Sequence, residues 1–365
     1  MIQALYLPST PLNVLVSAAL ANQFREQHQA QIWLIDQKHL ANNPYVKALE
    51  TWRDSPFEQV KILPGLAKGL QHKLIERKDN FERLQHGLQT FHPDIVAVGS
   101  DRRIEFQYVM HQLKKSKHPA QGWYLDDGLY SYAGRPYHTI KDGINRWLKK
   151  LSYGFWWDEP KTVGASHWIH QAWLFQPEQV YPLLTIKKLK KIQSEWFYDS
   201  NIKTFSQLVA DQFGFEPEKI ENVDLILILP HPNDMEKMLG YAQRVKSFVS
   251  SARGNGLNVA VKYHPRELEE DRLNFAEIGG IEIIPATLAF EFVLPFLKSA
   301  TFVLGDVCTV VMTARWLRED ISASAILDAT DAYQQSFLSI FNRLNIPVYS
   351  SFEQFFNQNI KGKEL

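Results

Sequence analysis

Two consecutive aspartates end an apolar segment about a third of the way along the chain. Residues 122–125 read Gly-Trp-Tyr-Leu, and Asp126, Asp127 and Gly128 follow them. Neighbouring carboxylates raise one another's pKa by charge repulsion, so one can act as a general base near neutral pH while the other stays ionised. Gly128 permits a sharp turn that points a side chain away from the core. An ordinary Asp-Asp-Gly turn is the alternative interpretation.

A histidine and a proline end a second apolar segment, at His264 and Pro265, with basic residues two positions to either side of the histidine. A histidine held there can donate to a phosphate and stabilise a leaving nucleotide. His231, which follows the apolar residues 225–229, is a competing candidate. The two other His-Pro pairs, at His92 and His118, are interpreted as structural.

Two further places carry polar residues at the predicted ends of strands. Cys308 and Thr309 open an amphipathic helix, and the free N–H groups of a helix start form a phosphate site. Simple N-capping by Asp306 or Thr309 is the alternative, and Cys308 is interpreted as a packing residue. Glu291 lies in an apolar segment predicted as a helix, where its carboxylate can accept from both hydroxyls of a ribose or stay solvated.

Sequence patterns that are absent narrow the chemistry. The chain has no GxxxxGK[ST] and no GxGxxG motif, which disfavours nucleotide hydrolysis and dinucleotide binding. It has no closely spaced His and Cys metal ligands, and its acidic pair is not an Asp-x-Asp. We therefore expect chemistry without a metal or cofactor.

The elements that position these residues alternate along the chain. Short apolar runs at 3–8, 30–36, 59–64, 94–100 and 122–127 predict strands, and all but the last precede a helical pattern. Thr10 and Pro11 fit the cap and first position of a helix that contains Asn13. This alternation is typical of an α/β fold with a parallel sheet covered by helices.

The pattern loosens between residues 154 and 222, where polar helices and no strongly apolar strand are expected, and a second alternating set begins at residue 223. We predict an N-terminal Rossmann-like domain at 1–185, connecting helices at 186–221 and a C-terminal Rossmann-like domain at 222–365. Two doubly wound domains are expected to face a central cleft, with ligands at the carboxyl ends of the strands.

Composition limits the partners. The chain has 365 residues, 40 basic and 40 acidic side chains, and one cysteine. This balance argues against nucleic acid as the main partner, and a reducing cytoplasm is the expected location. The segment 145–157, rich in Trp, Lys and Arg, can rest on a membrane surface, so peripheral association with the inner membrane is a further expectation. A half-buried helix is the alternative there.

The motifs in their order resemble those of the bacterial sialyltransferases with a GT-B fold, which include lipooligosaccharide sialyltransferases and capsular polysialyltransferases. The resemblance rests on Ser-Thr-Pro-Leu-Asn at 9–13, Tyr-Leu-Asp-Asp-Gly at 124–128, Lys-Tyr-His-Pro at 262–265 and the late turn at 308–309. It spans most of the chain, but each motif is short. Cys308 departs from the serine that this family usually has there.

The resemblance implies a role for each residue. Asp127, or else Asp126, would be the base that deprotonates the acceptor, and Gly128 would shape the turn. Thr10 and Asn13 would face the transferred sugar or the acceptor. The residues implied for the donor are His264 and Pro265 at the phosphate, Cys308 and Thr309 also at the phosphate, and Glu291 at the ribose.

The resemblance also implies an activity: inverting, metal-independent transfer of sialic acid or a related nonulosonic acid, such as pseudaminic or legionaminic acid, from a CMP-sugar donor. The acceptor would be an oligosaccharide or glycolipid of a bacterial surface, in capsule or lipooligosaccharide biosynthesis. Neutral net charge favours single or short additions over processive synthesis on a polyanion. The alternatives are a GT-B transferase that uses a UDP-, GDP- or TDP-sugar, and a non-catalytic two-lobed binding protein.

Overall fold

The computed structural model describes residues 1–306, 308–335 and 337–361, apart from the side chains of residues 70 and 333. The chain divides into two compact units, Met1–Phe205 and Ser206–Leu365. The division lies inside the connection predicted at 186–221, and the last four residues of the predicted C-terminal domain lie outside the described residues.

The first unit is built on a parallel sheet of seven strands in the order β3-β2-β1-β4-β5-β6-β7. Strands β2 and β3 are added on one side of β1 and strands β4 to β7 on the other, so the switch point of the sheet lies between β1 and β4. The strands are β1 (Ile2–Leu7), β2 (His28–Gln37), β3 (Phe57–Pro64), β4 (Ile95–Val98), β5 (Gln121–Leu125), β6 (Gln171–Leu174) and β7 (Lys188–Lys191).

Helices connect these strands. The first of them begins as the sequence predicts, because Thr10 caps it, Pro11 is its first residue, and most of its side chains are buried. The helices are α1 (Pro11–Gln23), α2 (Pro44–Thr51), α3 (Leu70–Thr90), α4 (Ile104–Lys115), α5 (Tyr130–Ala133) and α6 (Thr139–Tyr153). A seventh helix, α7 (Ser200–Gln212), contains the division between the units.

Two strands contradict the sequence prediction for residues 154–222. The buried strand β6 lies where no strongly apolar strand was expected, because its Gln-Ala-Trp-Leu sequence begins with a polar residue and contains no β-branched side chain. Strand β7 lies where a polar helix was expected. Its Lys-Leu-Lys-Lys sequence suits an edge strand, since lysines there discourage pairing with another chain.

The second unit repeats the strand order of the first with six parallel strands, β10-β9-β8-β11-β12-β13. The switch point lies between β8 and β11. The strands are β8 (Leu225–Ile228), β9 (Val259–Lys262), β10 (Ile281–Ile284), β11 (Phe302–Gly305), β12 (Ser322–Ile326) and β13 (Val348–Tyr349).

The helices of the second unit match the predicted alternation with one exception. They are α8 (Pro232–Lys237), α9 (Tyr241–Gly254), α10 (Thr309–Leu317), α11 (Ala332–Gln335), α12 (Leu338–Arg343) and α13 (Phe352–Asn359). The exception is the helix predicted around Glu291, which is instead a pair of 3₁₀ turns, Phe290–Phe292 and Leu294–Phe296. Pro295 explains the difference, since it has no amide hydrogen to donate to the Glu291 carbonyl.

Each unit has its own buried core. In the first, side chains such as Leu5, Val96 and Phe106 pack across the sheet and its helices. In the second, Leu227, Val249 and Phe355 do the same. The prediction of an α/β chain with two Rossmann-like units is therefore confirmed.

Candidate functional site

Asp126 is a structural anchor at the end of β5. It has no exposed surface, and its backbone N–H donates to the Trp173 carbonyl. Its carboxylate accepts from the amides of Gly128 (2.9 Å) and Phe175 (3.0 Å), and from the hydroxyls of Ser131 (2.7 Å) and Tyr132. Burial raises the pKa of Asp126, and these donors oppose that rise. With its oxygens engaged, Asp126 fixes the turn.

Asp127 is the more available carboxylate of the pair. It is half-buried, and its Oδ1 accepts from Nδ2 of Asn13 at 3.2 Å. Burial raises the pKa of Asp127 to about 7, and the nearby charge of Asp126 also raises it. The Asn13 hydrogen bond and the positive charge of Arg103 act in the opposite direction. Asp127 therefore changes protonation near neutral pH, as a general base must.

Asn13 reaches Asp127 because of how α1 begins. Thr10 caps this helix by accepting from the Asn13 amide at 3.3 Å, which places Asn13 in the first turn beyond β1. Gly99, just past β4, leaves room for the Asn13 side chain, since a Cβ there would lie 1.9 Å from the Asn13 oxygen. Asn13 has no exposed surface. It therefore contacts the aspartate and does not present itself to solvent.

Gly128 completes the acidic turn. Its φ of 91° lies in the left-handed region, which glycine adopts at no steric cost. This is the sharp turn that the sequence predicts. It brings the Gly128 amide back to the Asp126 carboxylate, and the next residues enter α5.

In the second unit, two histidines meet at the ends of adjacent strands. His264 follows β9 and His231 follows β8, and their ring centroids lie 4.9 Å apart. The Nδ1 atom of His264 accepts from the amide of Arg266, and that of His231 accepts from the amide of Asn233. A neutral ring in this arrangement carries its hydrogen on Nε2, where it can donate to an anion.

The protonation of His264 is set by its surroundings. The pKa of His264 is lowered to about 4, chiefly by burial, and the neighbouring positive charges of Arg266 and Lys262 act in the same direction. His264 is therefore a neutral hydrogen-bond donor at pH 7. Pro265, which follows it, is exposed and supplies no backbone donor.

A buried lysine and glutamate lie close to these strand ends. Lys262 is 3% exposed, and its ammonium donates to the Ala286 carbonyl at 2.9 Å. Burial lowers the pKa of Lys262 to about 8, against the opposing effect of the Glu291 charge. Glu291 accepts from the Thr313 hydroxyl at 3.0 Å, and burial raises its pKa. The fold thus holds Glu291 at α10, with Lys262 providing a positive charge.

The start of α10 matches the predicted turn. Cys308 is the N-cap and Thr309 the first residue, and both are partly exposed. The Cys308 side chain makes no capping hydrogen bond. Burial raises the pKa of the Cys308 thiol, so it stays protonated and is not a nucleophile at neutral pH. The first-turn amides of α10 thus face a weakly accepting sulfur and not a capping oxygen, since those of Val310 and Val311 lie close to the thiol.

A cavity of about 710 Å³ opens on the α9 and α13 side of the second sheet. It reaches Gly305 and Asp306, and burial raises the pKa of Asp306 to about 7. The residues predicted for the donor, which include His264 and Glu291, do not line it. The cavity thus reaches the strand end at β11 without being lined by the predicted donor residues.

The structure brings the predicted residues together in two groups. Asn13 joins Asp127 within the first unit, and His264, Glu291 and Cys308 approach one another within the second through Lys262 and α10. Three contributors were not predicted: Gly99, Arg103 and Thr313. Gly99 follows an apolar strand directly, and that position at a strand end was the available signal for it.

Among the described residues, no three His, Cys, Asp or Glu side chains are grouped so as to hold a metal ion. In the same part of the chain, no helix has the length and apolar character needed to cross a bilayer.

Comparison with solved structures decides the fold class. The GT-B domain of a sialyltransferase from Photobacterium damselae superposes with a TM-score of 0.59 at 14% identity, over 96% of this chain and 98% of that one. The chain has a GT-B fold. An α/β-galactoside α-2,3-sialyltransferase from Photobacterium phosphoreum gives a TM-score of 0.58 at 12% identity, over 95% and 98% of the two chains.

This GT-B fold is shared with another class of enzyme. A UDP-GlcNAc 2-epimerase from Methanocaldococcus jannaschii matches with a TM-score of 0.55 at 12% identity, over 100% of this chain and 94% of that one. No protein-family model matches the chain, and neither does any curated protein sequence. The predicted resemblance to bacterial GT-B sialyltransferases is confirmed at the level of the fold.

Proposed function

We propose that the protein is an inverting glycosyltransferase that moves sialic acid or a related nonulosonic acid from a CMP donor to an oligosaccharide or glycolipid of a bacterial surface, in capsule or lipooligosaccharide synthesis. The observation that carries the proposal is Asp127, a half-buried carboxylate with a pKa of about 7 at a strand end of a GT-B fold. Asp126 and Asn13 hold it in place. A surface turn without a function has no need of such support.

In this proposal, Asp127 removes the proton from the acceptor hydroxyl. The hydroxyl oxygen attacks the anomeric carbon of the nonulosonic acid as the bond from that carbon to the CMP phosphate breaks. The bonding electrons leave with the phosphate, and the proton stays on the Asp127 carboxyl group. Because the sugar carries its own carboxylate next to the reacting carbon, the transition state resembles an oxocarbenium ion and needs only a weak nucleophilic push.

The second unit supplies the donor contacts. His264 donates from Nε2 to the phosphate, and the α10 amides with the Thr309 hydroxyl bind its other oxygens. Support comes from the neutral state of His264 and from the start of α10, where the N-cap side chain offers a weakly accepting sulfur and no oxygen. Glu291 binds the ribose hydroxyls, and Lys262 offsets its charge. We add His231 as a second phosphate donor, since its ring lies beside that of His264.

The roles of Asp126, Thr10 and Asn13 are refined accordingly. Asp126 positions the base and is not a second base, because four donors occupy its carboxylate. Thr10 and Asn13 support Asp127 from α1. Gly128 supplies the turn and Pro265 the exit direction after His264.

We further propose that transfer needs no metal or cofactor and that it adds one sugar or a few. The proposed location is the cytoplasm, with contact at the inner membrane. The competing function is that of a GT-B transferase using a UDP-, GDP- or TDP-sugar. It is favoured by the match to UDP-GlcNAc 2-epimerases, one of which, from Neisseria meningitidis, was solved bound to UDP-GlcNAc. A non-catalytic binding protein is the third candidate, and it leaves the support around Asp127 unexplained.

Thermal unfolding of the purified protein with CMP, UMP, UDP, GDP or TDP, each with and without EDTA, tests the donor. A nucleotide at a hundredfold excess over its Kd stabilises the folded state by about 2.7 kcal/mol. We expect CMP alone to raise Tm, equally with EDTA. A response only to a nucleoside diphosphate would replace the proposal with the competing transferase.

A transfer assay tests catalysis. CMP binding without transfer from CMP-sialic acid, CMP-legionaminic acid or CMP-pseudaminic acid to a mixed panel of lipooligosaccharide and capsule acceptors would favour the binding protein.

A further inference from the structure

Helix α6 presents an apolar face to solvent. Its outward side chains are between 56% and 80% exposed, and Phe155 just beyond its end is 74% exposed. At about 100° per residue these positions fall on one face of the helix. The apolar side chains are Ile140, Ile144, Trp147, Leu148 and Leu151. A patch of this kind marks an interaction surface.

The polar face of α6 holds the helix to the rest of its unit. Asp142, the only buried side chain of the helix, accepts from the His138 amide at 2.8 Å and pairs with Arg135 at 3.1 Å. On the same side, Lys149 pairs with the buried Glu159 at 2.7 Å. An amphipathic helix on a globular core normally buries its apolar face. Here the orientation is reversed, so the ion pairs fix the helix with its apolar face outward.

The charges around this face fit a negatively charged partner. By helical spacing, Lys141 flanks one side of the apolar stripe and Lys150 the other, and no carboxylate in the described part of the chain forms an ion pair with either. The segment 139–155 contains a single acidic residue, Asp142, which faces inward. Basic residues beside an apolar stripe with an exposed tryptophan are typical of helices that lie in the surface of an anionic membrane.

A second copy of the chain fits this face less well. Two α6 faces packed against each other would bring Lys141 and Lys150 of one copy close to those of the other, and like charges at such a contact are unfavourable. A bilayer has no such conflict, since its headgroups supply the opposite charge.

We propose that the outward face of α6 docks in the plane of an anionic lipid bilayer, with its apolar side chains in the headgroup region and Lys141 and Lys150 at the lipid phosphates. This inference rests on the proposed function in one respect, namely that the protein works in contact with a membrane. Binding is measured without donor or acceptor, so its failure is distinguishable from a failure of transfer.

Co-sedimentation of the full chain with vesicles tests this docking. We expect binding to vesicles of phosphatidylglycerol and phosphatidylethanolamine, weakening as salt is raised, and little binding to phosphatidylcholine vesicles. The variant Ile144→Ser/Leu148→Ser/Leu151→Ser should bind at least tenfold more weakly with an unchanged Tm, because these side chains are already exposed. The matched control Leu239→Ser/Leu268→Ser removes side chains that are 92% and 97% exposed in the second unit, and it should bind as the unaltered chain does.

The charged residues are tested separately. Lys141→Gln/Lys150→Gln should weaken binding by about fivefold for each lysine and reduce its salt dependence. The proposal is overturned if the unaltered chain does not bind anionic vesicles at low salt, or if the triple serine variant binds them equally well. A dimer in sedimentation velocity that the triple serine variant dissociates, without vesicle binding, would identify a second copy as the partner instead.

Discussion

The two units have the same strand order, but the ionisable side chains at their strand ends are of opposite kinds, acidic in the first unit and basic in the second. In the first, carboxylates follow the fifth strand, β5, and in the second, imidazoles follow the first two strands, β8 and β9. Burial acts on both. It raises the pKa of Asp127 to about 7 and lowers that of His264 to about 4, so in each case it favours the neutral form.

The consequences for chemistry differ. A carboxylate with a pKa near 7 can take a proton and release it at neutral pH, whereas a histidine with a pKa near 4 keeps its single ring hydrogen and offers it to an anion as a hydrogen-bond donor. The same physical cause thus makes one unit suited to proton transfer and the other to binding an anion without proton exchange. Experiments that separate transfer from nucleotide binding test this difference.

The largest effect is expected for Asp127→Asn. Loss of the base should lower the transfer rate by at least about a hundredfold, with CMP affinity unchanged. The free energy of unfolding should not fall at pH 8, since burial destabilises the charged carboxylate that asparagine replaces. Initial rates, CMP titration and urea unfolding check these three points. The exposed aspartate of Asp54→Asn is the control, and full activity in both variants would contradict the assignment.

The next effect concerns pH. Because Asp127 must be ionised to act, kcat/KM should fall about tenfold per pH unit below pH 7 and level off above it. Asn13→Ala removes a hydrogen bond that lowers the pKa of Asp127, so the fall should begin about one unit higher. Measuring kcat/KM against pH for the unaltered chain and for Asn13→Ala tests this. An unshifted profile would mean that Asn13 does not act through Asp127.

The third effect concerns CMP affinity, which should fall when either His264 or His231 is replaced. His264→Ala and His231→Ala should each weaken CMP binding by about tenfold, the value of one hydrogen bond to a charged group. Between pH 7 and pH 9 the ratio of the CMP affinities of the unaltered chain and His264→Ala should stay constant, because His264 is already neutral there and the titration of Lys262 near pH 8 affects both forms alike. Calorimetric titration measures both, with His118→Ala as a His-Pro control. A ratio that falls with rising pH would show that His264 binds CMP as a cation.

The sequence predicted what depends on neighbouring residues. The strand ends at Asp127 and His264, the cap at Thr10 and the turn at Gly128 all follow from local patterns, and the structure contains each of them. The resemblance to GT-B enzymes added an implied role for each motif in a single reaction.

Features that depend on distant residues were not predictable in this way. The contact of Asn13 with Asp127 joins residues 114 positions apart, and the need for Gly99 arises only when α1 packs beside β4. The pairing of His231 with His264 follows from β8 lying beside β9. The outward orientation of α6 is set by ion pairs to Arg135 and Glu159, which no periodic pattern records.

The smallest effects compare the two helix starts. Thr10 caps α1, whereas the side chain of Cys308 makes no capping hydrogen bond to α10. Thr10→Ala should therefore cost about 1 kcal/mol of unfolding free energy, and Cys308→Ser should add up to about that amount. If the first-turn amides of α10 bind phosphate, the serine hydroxyl either competes with CMP or joins in binding it. A change in CMP affinity with Cys308→Ser, and none with Thr10→Ala, would place the phosphate at α10, while equal affinities would separate the phosphate from that helix.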